Sequence, residues 1–198
     1  RDVAPSRGLG DVYKRQGVTG PTGAGKGYVC RLLAQAGLHP VDCDRVYGQL
    51  TVPGAPLLQD LAAAFGQEII QDGALDRKTL AAKAFATPAA TEKLDQVTHP
   101  AVLDACVQQA KIPAVLDAPQ LFESGADALC AYTLAVTAPK DTRLARIMER
   151  DGIDRAAAQL RMQAQPAADF YTEKCTFTVT NDGRDIKSQV DRILEAIL

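Results

Sequence analysis

A chain of 198 residues, 46% apolar and 23% charged, has the balance of an ordinary globular protein long enough to bury a sizeable core. A formal net charge of −2 gives no field favouring nucleic acid, no apolar run approaches membrane length, and no signal-peptide pattern is seen, so a cytoplasmic protein without nucleic-acid or membrane partners is expected. The five cysteines, at 30, 43, 106, 130 and 175, are odd in number and form no C-x-x-C pair, which points to reduced, mostly buried thiols.

Residues 1–16 lack an initiator Met and end in the polar stretch Asp11-Val12-Tyr13-Lys14-Arg15-Gln16. The strand that feeds a phosphate-binding loop is usually central and parallel, hence a continuous apolar run. Here only Val18, with Val12 and Tyr13, could supply it, so 1–16 is expected to be a cloning or assembly junction that replaced the true first strand.

Gly20-Pro21-Thr22-Gly23-Ala24-Gly25-Lys26-Gly27 follows Val18-Thr19 and precedes the helix-like run Tyr28-Val29-Cys30-Arg31-Leu32-Leu33. Read as G-x-x-x-x-G-K, its glycines let successive backbone N–H groups point inward, and the next helix adds its positive end. Lys26 then reaches the β- and γ-phosphates as a point charge. The position after the lysine should carry a hydroxyl for Mg²⁺ and carries Gly27 instead. The alternative is a glycine-rich turn that binds nothing.

Onward the pattern alternates strand and helix. A first helix over about Lys26–Ala36 stops at Gly37, and Pro40–Cys43 is a short strand leading into Asp42 and Asp44. Pro53–Pro56 is a break, and between about Leu57 and Gln109 the pattern is helical, interrupted at Gly66, Asp72-Gly73 and His99-Pro100. Asp76 caps one of these helices. Strands return at Ala114–Asp117, Tyr132–Thr137 and Phe177–Thr180, interleaved with helices from Asp141, from Asp154, and over the C-terminal Ile186–Ile197 stretch. Such alternation implies a parallel sheet covered on both faces, with an inserted helical lobe at about 52–110 over its ligand end.

Asp44 lies at the carboxyl edge of a strand, where open α/β sheets bind ligands. It is suited either to accept a proton from an attacking hydroxyl or help hold Mg²⁺, or to cap the helix through Arg45-Val46-Tyr47. Asp117 ends an apolar strand, either as a Mg²⁺-side carboxylate or as a turn residue before Pro119. Arg143, Arg146 and Arg150 share one helix face, and Arg155 and Arg161 follow. One or two of these five are expected to neutralise a transferring phosphoryl group, the others forming a solvated face balanced by Asp141, Glu149 and Asp151. His99, alone before a proline, reads first as a packing residue; no nucleophile–base pair or metal cluster accompanies it.

These residues resemble the dephospho-coenzyme A kinase family. The resemblance is carried in order by Gly17–Lys26, Val41–Asp44, Pro53–Pro56, Gly73–Arg77, His99-Pro100, Asp117–Glu123, Arg146–Asp151, Arg161–Gln165 and Asn181-Asp182-Gly183. It implies a three-layer α/β P-loop kinase with a five-stranded parallel sheet, a helical substrate lobe and a lid at about 150–166, in one domain over 17–198. It implies ATP and Mg²⁺ as the phosphoryl donor and its metal, and phosphorylation of the ribose 3′-hydroxyl of dephospho-coenzyme A. Gly20, Thr22, Gly23, Ala24, Gly25, Lys26, Gly27 and Tyr28 would wrap the ATP phosphates, and Asn181 and Gly183 would lie near adenine. Asp44 would be the base, and Arg150, Arg155 and Arg161 would belong to the lid. Arg77, His99, Leu121, Phe122 and Glu123 would face the coenzyme substrate, and Asp117 would serve the metal. A monomer is expected.

The family has Ser-Thr where this chain has Gly27-Tyr28, so weaker Mg²⁺ affinity and lower turnover are expected with ATP binding kept. Competing readings are another P-loop kinase acting on a nucleoside monophosphate or sugar-like alcohol, and a nucleotide-binding homologue impaired in catalysis.

Overall fold

The computed structural model describes residues 14–197, which fall into two compact units. One contains the described residues up to Val41 together with those from Ala110 onward, and the other is Asp42–Gln109.

The first unit is built on a five-stranded parallel sheet in the order β2-β5-β1-β6-β7. Its strands are β1 (Arg15–Thr19), β2 (His39–Asp42), β5 (Ala114–Asp117), β6 (Tyr132–Thr137) and β7 (Phe177–Thr180). β1 is central, with Gln16 opposite Val115 on one side and Tyr132 on the other, and Val18 opposite Asp117 and Leu134. This corrects the expectation of a missing first strand. Polar Arg15 and Gln16 do complete the strand, while Val12 and Tyr13 lie outside the described residues.

The strand forms because both neighbours satisfy its backbone and because its polar side chains find special surroundings. All five of its residues are buried. Arg15 donates from Nε to the Leu129 carbonyl at 3.0 Å. Gly17 leaves room for Leu121, whose methyl carbons would stand only 2.9 Å from a Cβ at that position. Gln16 points, by strand alternation, to the same side as Val18 and Val115, and its Oε1 is buried without a hydrogen-bond partner.

Helix α1 (Lys26–Gln35) and the C-terminal helix (Ile186–Ile197) cover that side. Val29 and Leu33 of the first, and Val190, Ile193 and Leu194 of the second, close one core with Val18, Val115, Leu134, Val136 and Val179. Each fully buried Leu or Val there is worth about 1.5–3 kcal/mol of transfer free energy. Helix α6 (Lys140–Asp151) and α7 (Arg155–Gln163) form a hairpin around Leu144, Ile147 and Ala158. The Asp154 side chain caps α7 by accepting from the Ala157 amide at 2.8 Å. A further helix, α8 (Ala168–Lys174), lies in a stretch whose sequence pattern predicts none.

The second unit contains α2 (Cys43–Leu50), α3 (Pro56–Phe65), a two-strand hairpin of β3 (Ile70–Gln71) and β4 (Ala74–Leu75), α4 (Arg77–Ala84) and α5 (Pro88–Gln109). Its core joins Leu57, Leu61, Phe65, Ile69 and Leu80. Gly66 ends α3 at φ 98°, and the Asp76 carboxylate caps α4 by accepting from the Lys78 and Thr79 amides. His99-Pro100 does not divide two helices as expected: α5 runs through it. Pro100 removes one backbone donor, but the turns on both sides continue.

Candidate active site

The loop between β1 and α1 has the backbone that its glycines predict. Gly20, Gly23 and Gly25 have φ of 143°, 78° and 92°, a region L-residues rarely enter. A Cβ at Gly20 would stand 2.1 Å from the Val136 carbonyl oxygen, and one at Gly25 would stand 2.1 Å from Asn181 Nδ2. Gly25 is the N-cap of α1, and no side chain caps that helix. The Tyr28 amide turns back to the Gly25 carbonyl at 2.9 Å, while the Lys26 and Gly27 amides precede the first helical acceptor and offer a site for anionic oxygens.

The loop is braced by α6 and by the residue after β7. Arg143, buried among these groups, donates from Nε to the Thr22 carbonyl at 2.9 Å. Arg146 donates from one terminal nitrogen to the Gly23 and Ala24 carbonyls and from the other to Asn181 Oδ1 at 3.0 Å. Asn181 Nδ2 closes the network by donating to the Ala24 carbonyl at 2.9 Å. The Thr22 amide donates to Gln165 Oε1 at 2.7 Å. These bonds tie the Thr22, Gly23 and Ala24 carbonyls to side chains from α6 and the end of β7.

This corrects the solvated-face reading for Arg143 and Arg146. Spacing predicts their shared face; the buried carbonyls they serve lie too far along the chain for spacing to reveal. Both ends of the Asn181 amide are likewise committed inside the protein. Gln165 sits in a motif that assigns it no role, and the loop contact supplies one.

Lys26, at the first turn of α1, pairs its Nζ with Asp117 Oδ1 at the end of β5, both side chains being mostly buried. A single carboxylate in that place, reached by the loop lysine, fits a metal shared with phosphate oxygens and water. Among the described residues no group of three or more His, Cys, Asp or Glu could hold a metal by itself. Gly27 and Tyr28 are exposed, and the Arg31 guanidinium carbon lies 5.6 Å from the Tyr28 ring centroid.

At the end of α6, Arg150 pairs with both Asp151 oxygens at 2.8 and 2.9 Å and reaches Thr22 Oγ1 at 3.4 Å. Arg161 also engages Asp151. The Arg150 hydrogen bonds, aided by the Arg161 charge, hold the Asp151 carboxyl below its ordinary range. In the sequence Asp151 is only a balancing charge, yet in the fold it gathers Arg150 and Arg161 at one point. Arg155 stands apart, in a loose 3.8 Å pair with Asp141.

Leu121 is fully buried against Gly17, so its side chain supports the Asp117–Glu123 segment from beneath and does not face solvent. Phe122 meets Phe170 edge to face at 6.2 Å, and Lys174 lies over both rings. Glu123 is exposed. Gly183 has φ 89° in the turn after β7.

In the second unit, Asp42 caps α2 by accepting from the Arg45 amide at 3.0 Å. Capping therefore belongs to Asp42 and not to Asp44, which sits in the helix's first turn. The Arg77 guanidinium carbon is 5.6 Å from the Tyr47 ring centroid, and burial raises the Tyr47 hydroxyl's pKa against the opposing Arg77 charge. His99 Nε2 lies 3.3 Å from Asp95 Oδ1 one turn back on α5.

The family model described as CoaE, dephospho-CoA kinase, matches residues 16–187, from β1 into the C-terminal helix. This chain belongs to the dephospho-CoA kinase family. A dephospho-CoA kinase of Anaeromyxobacter dehalogenans is 37% identical over 188 residues, covering 90% of this chain and 89% of the relative. One of Corynebacterium glutamicum is 34% identical, covering 93% and 97%. Among solved structures, protein TT1252 of Thermus thermophilus superposes with a TM-score of 0.76 at 30% identity, over 92% of this chain and 95% of that one. The Campylobacter jejuni dephospho-CoA kinase shares the fold with a TM-score of 0.64 at 22% identity, covering 93% and 96%.

Proposed function

We propose that this chain transfers the γ-phosphoryl group of ATP to the ribose 3′-hydroxyl of dephospho-coenzyme A, as a cytoplasmic, monomeric enzyme. The family match from residue 16 to residue 187 carries this reading. Another acceptor is not favoured, since the similar curated relatives bear one activity in their names.

In this reading the loop Gly20–Tyr28 holds the triphosphate through backbone amides, and Lys26 draws its charge toward the β- and γ-oxygens. Asp117 would hold Mg²⁺, which would supply charge neutralisation on the transferring group. Asp44 takes the proton of the 3′-hydroxyl as its oxygen attacks phosphorus. Arg150, with Arg155 and Arg161 on the lid, offsets charge on the equatorial oxygens. Arg77 and His99 of one unit, and Phe122 and Glu123 of the other, are assigned to the coenzyme substrate, with Leu121 supporting the Asp117–Glu123 segment from beneath. Asn181 and Gly183 border adenine, Asn181 through the loop it braces.

The test is ATP consumption with dephospho-coenzyme A, with adenosine monophosphate, and with no acceptor. ADP formation should depend on dephospho-coenzyme A, and Asp44→Asn should lower kcat by about 10²–10⁴-fold with ATP affinity kept. Turnover greater with adenosine monophosphate, or ATP binding without acceptor-dependent turnover, would reject the proposal.

A further inference from the structure

We propose that Cys43 and Cys106 form a reversible disulfide that switches the enzyme off when the surrounding thiol pool is oxidised. Cys43 is the first residue of α2 and Cys106 lies near the C-terminal end of α5, and their sulfurs are 3.5 Å apart. Both belong to the Asp42–Gln109 unit. A disulfide needs about 2.05 Å, so the sulfurs must approach by about 1.5 Å. Among the described residues every cysteine is a thiol.

What the bond would disturb follows from its place. Cys43 stands between Asp42, which caps α2, and Asp44, the proposed base. Drawing Cys43 toward α5 moves the turn that carries both carboxylates. A misplacement of about 1 Å in a reacting group costs on the order of 100-fold in rate. The effect on turnover thus rests on the Asp44 reading; formation of the bond does not.

The chemistry balances with a low-molecular-weight disulfide such as glutathione disulfide as oxidant. Cys43, at 9% exposure the more open of the two, attacks it when the first turn of α2 frays. This gives a mixed disulfide on Cys43 and one glutathione thiolate. Cys106, fully buried beside it, then attacks the Cys43 sulfur and expels the second thiolate. The two protein thiols lose two protons and two electrons, and the oxidant becomes two glutathione thiols. Contact with Cys43 lowers the Cys106 pKa against burial and the Asp42 charge, which raise it. Burial pushes the Cys130 thiol up to about 12 and raises that of Cys175, which makes both poor competitors.

The reduced full chain is incubated with glutathione disulfide, then followed by intact mass, peptide mapping and kinase turnover. The expected result is loss of two hydrogens, a Cys43–Cys106 peptide pair, at least a tenfold drop in kcat, and recovery with dithiothreitol. Cys106→Ala should keep basal turnover and resist the oxidant; Cys43→Ala tests the same point from the other helix should Cys106→Ala fail to fold. Only mixed disulfides or other pairings in the map would overturn the proposal, as would the bridge with turnover intact. Because Asp44→Asn is measured on reduced enzyme, failure of the base assignment is seen separately from failure of the bridge.

Discussion

The resemblance implies a Ser at the position of Gly27, and the surroundings of Gly27 make the effect of that difference testable. The Gly27 backbone lies outside the left-handed region, and a Cβ there would meet only Arg31 Nη1, at 4.0 Å. A serine fits without displacing anything, unlike a side chain at Gly20 or Gly25. Gly27→Ser should lower the Mg²⁺ concentration giving half-maximal rate and raise kcat, because a hydroxyl would replace a water that Mg²⁺ must otherwise retain. A Mg²⁺ titration of both proteins checks this, and superimposable curves would refute it.

At the scale of elements, β1 is the unusual one. Central strands of parallel sheets are apolar because helices cover both faces, yet this one opens with Arg15 and Gln16. Arg15 is reconciled by the Leu129 carbonyl, whereas Gln16 buries an acceptor with no partner. An unsatisfied buried polar atom costs about 1–3 kcal/mol. Gln16→Met, close in shape and lacking that acceptor, should raise stability by about 1–2 kcal/mol. Denaturant unfolding measures it, and a midpoint that falls or stays put would show that the glutamine oxygen is satisfied.

For the whole molecule, acid stability follows from three depressed carboxylates. Asp151 is held down first by its hydrogen bonds from Arg150, Asp76 by the Thr79 hydroxyl and then the cap amides, and Glu68 by its hydrogen bond from Lys83. Each has a folded pKa below its unfolded value, so the stability it contributes is present above the ordinary carboxylate range and lost as pH falls through the folded value. Thermal midpoints should hold level from neutrality to about pH 5 and decline below about pH 4. Asp151→Asn should reduce that decline. Lys187, raised by the Asp191 hydrogen bond, acts in the opposite sense at alkaline pH, its contribution fading as pH passes its raised pKa. A midpoint flat from pH 6 to about pH 3 would contradict the acid limb.

Much of the fold and of the site is legible in the sequence, for local reasons. Gly20, Gly25 and Lys26 announce the phosphate loop because backbone freedom and a charge at fixed spacing are local requirements. Strands β5, β6 and β7 are legible as apolar runs between turn residues, and Asp76 and Asp154 as caps, since a cap acts within three residues. The rest depends on contacts between distant parts of the chain. Gln16 looks wrong for a strand until β5 and β6 take its backbone on both sides, and Pro100 looks like a helix end although α5 continues through it. Spacing aligns Arg143 and Arg146; only the fold sets them on the loop's carbonyls, 121 to 123 residues away. The same holds for Cys43 and Cys106, 63 residues apart and unremarkable as a pair until two helices bring their sulfurs into contact. Local chemistry announces what a segment can do, whereas burial and long-range pairing decide which of its groups are spent on the fold.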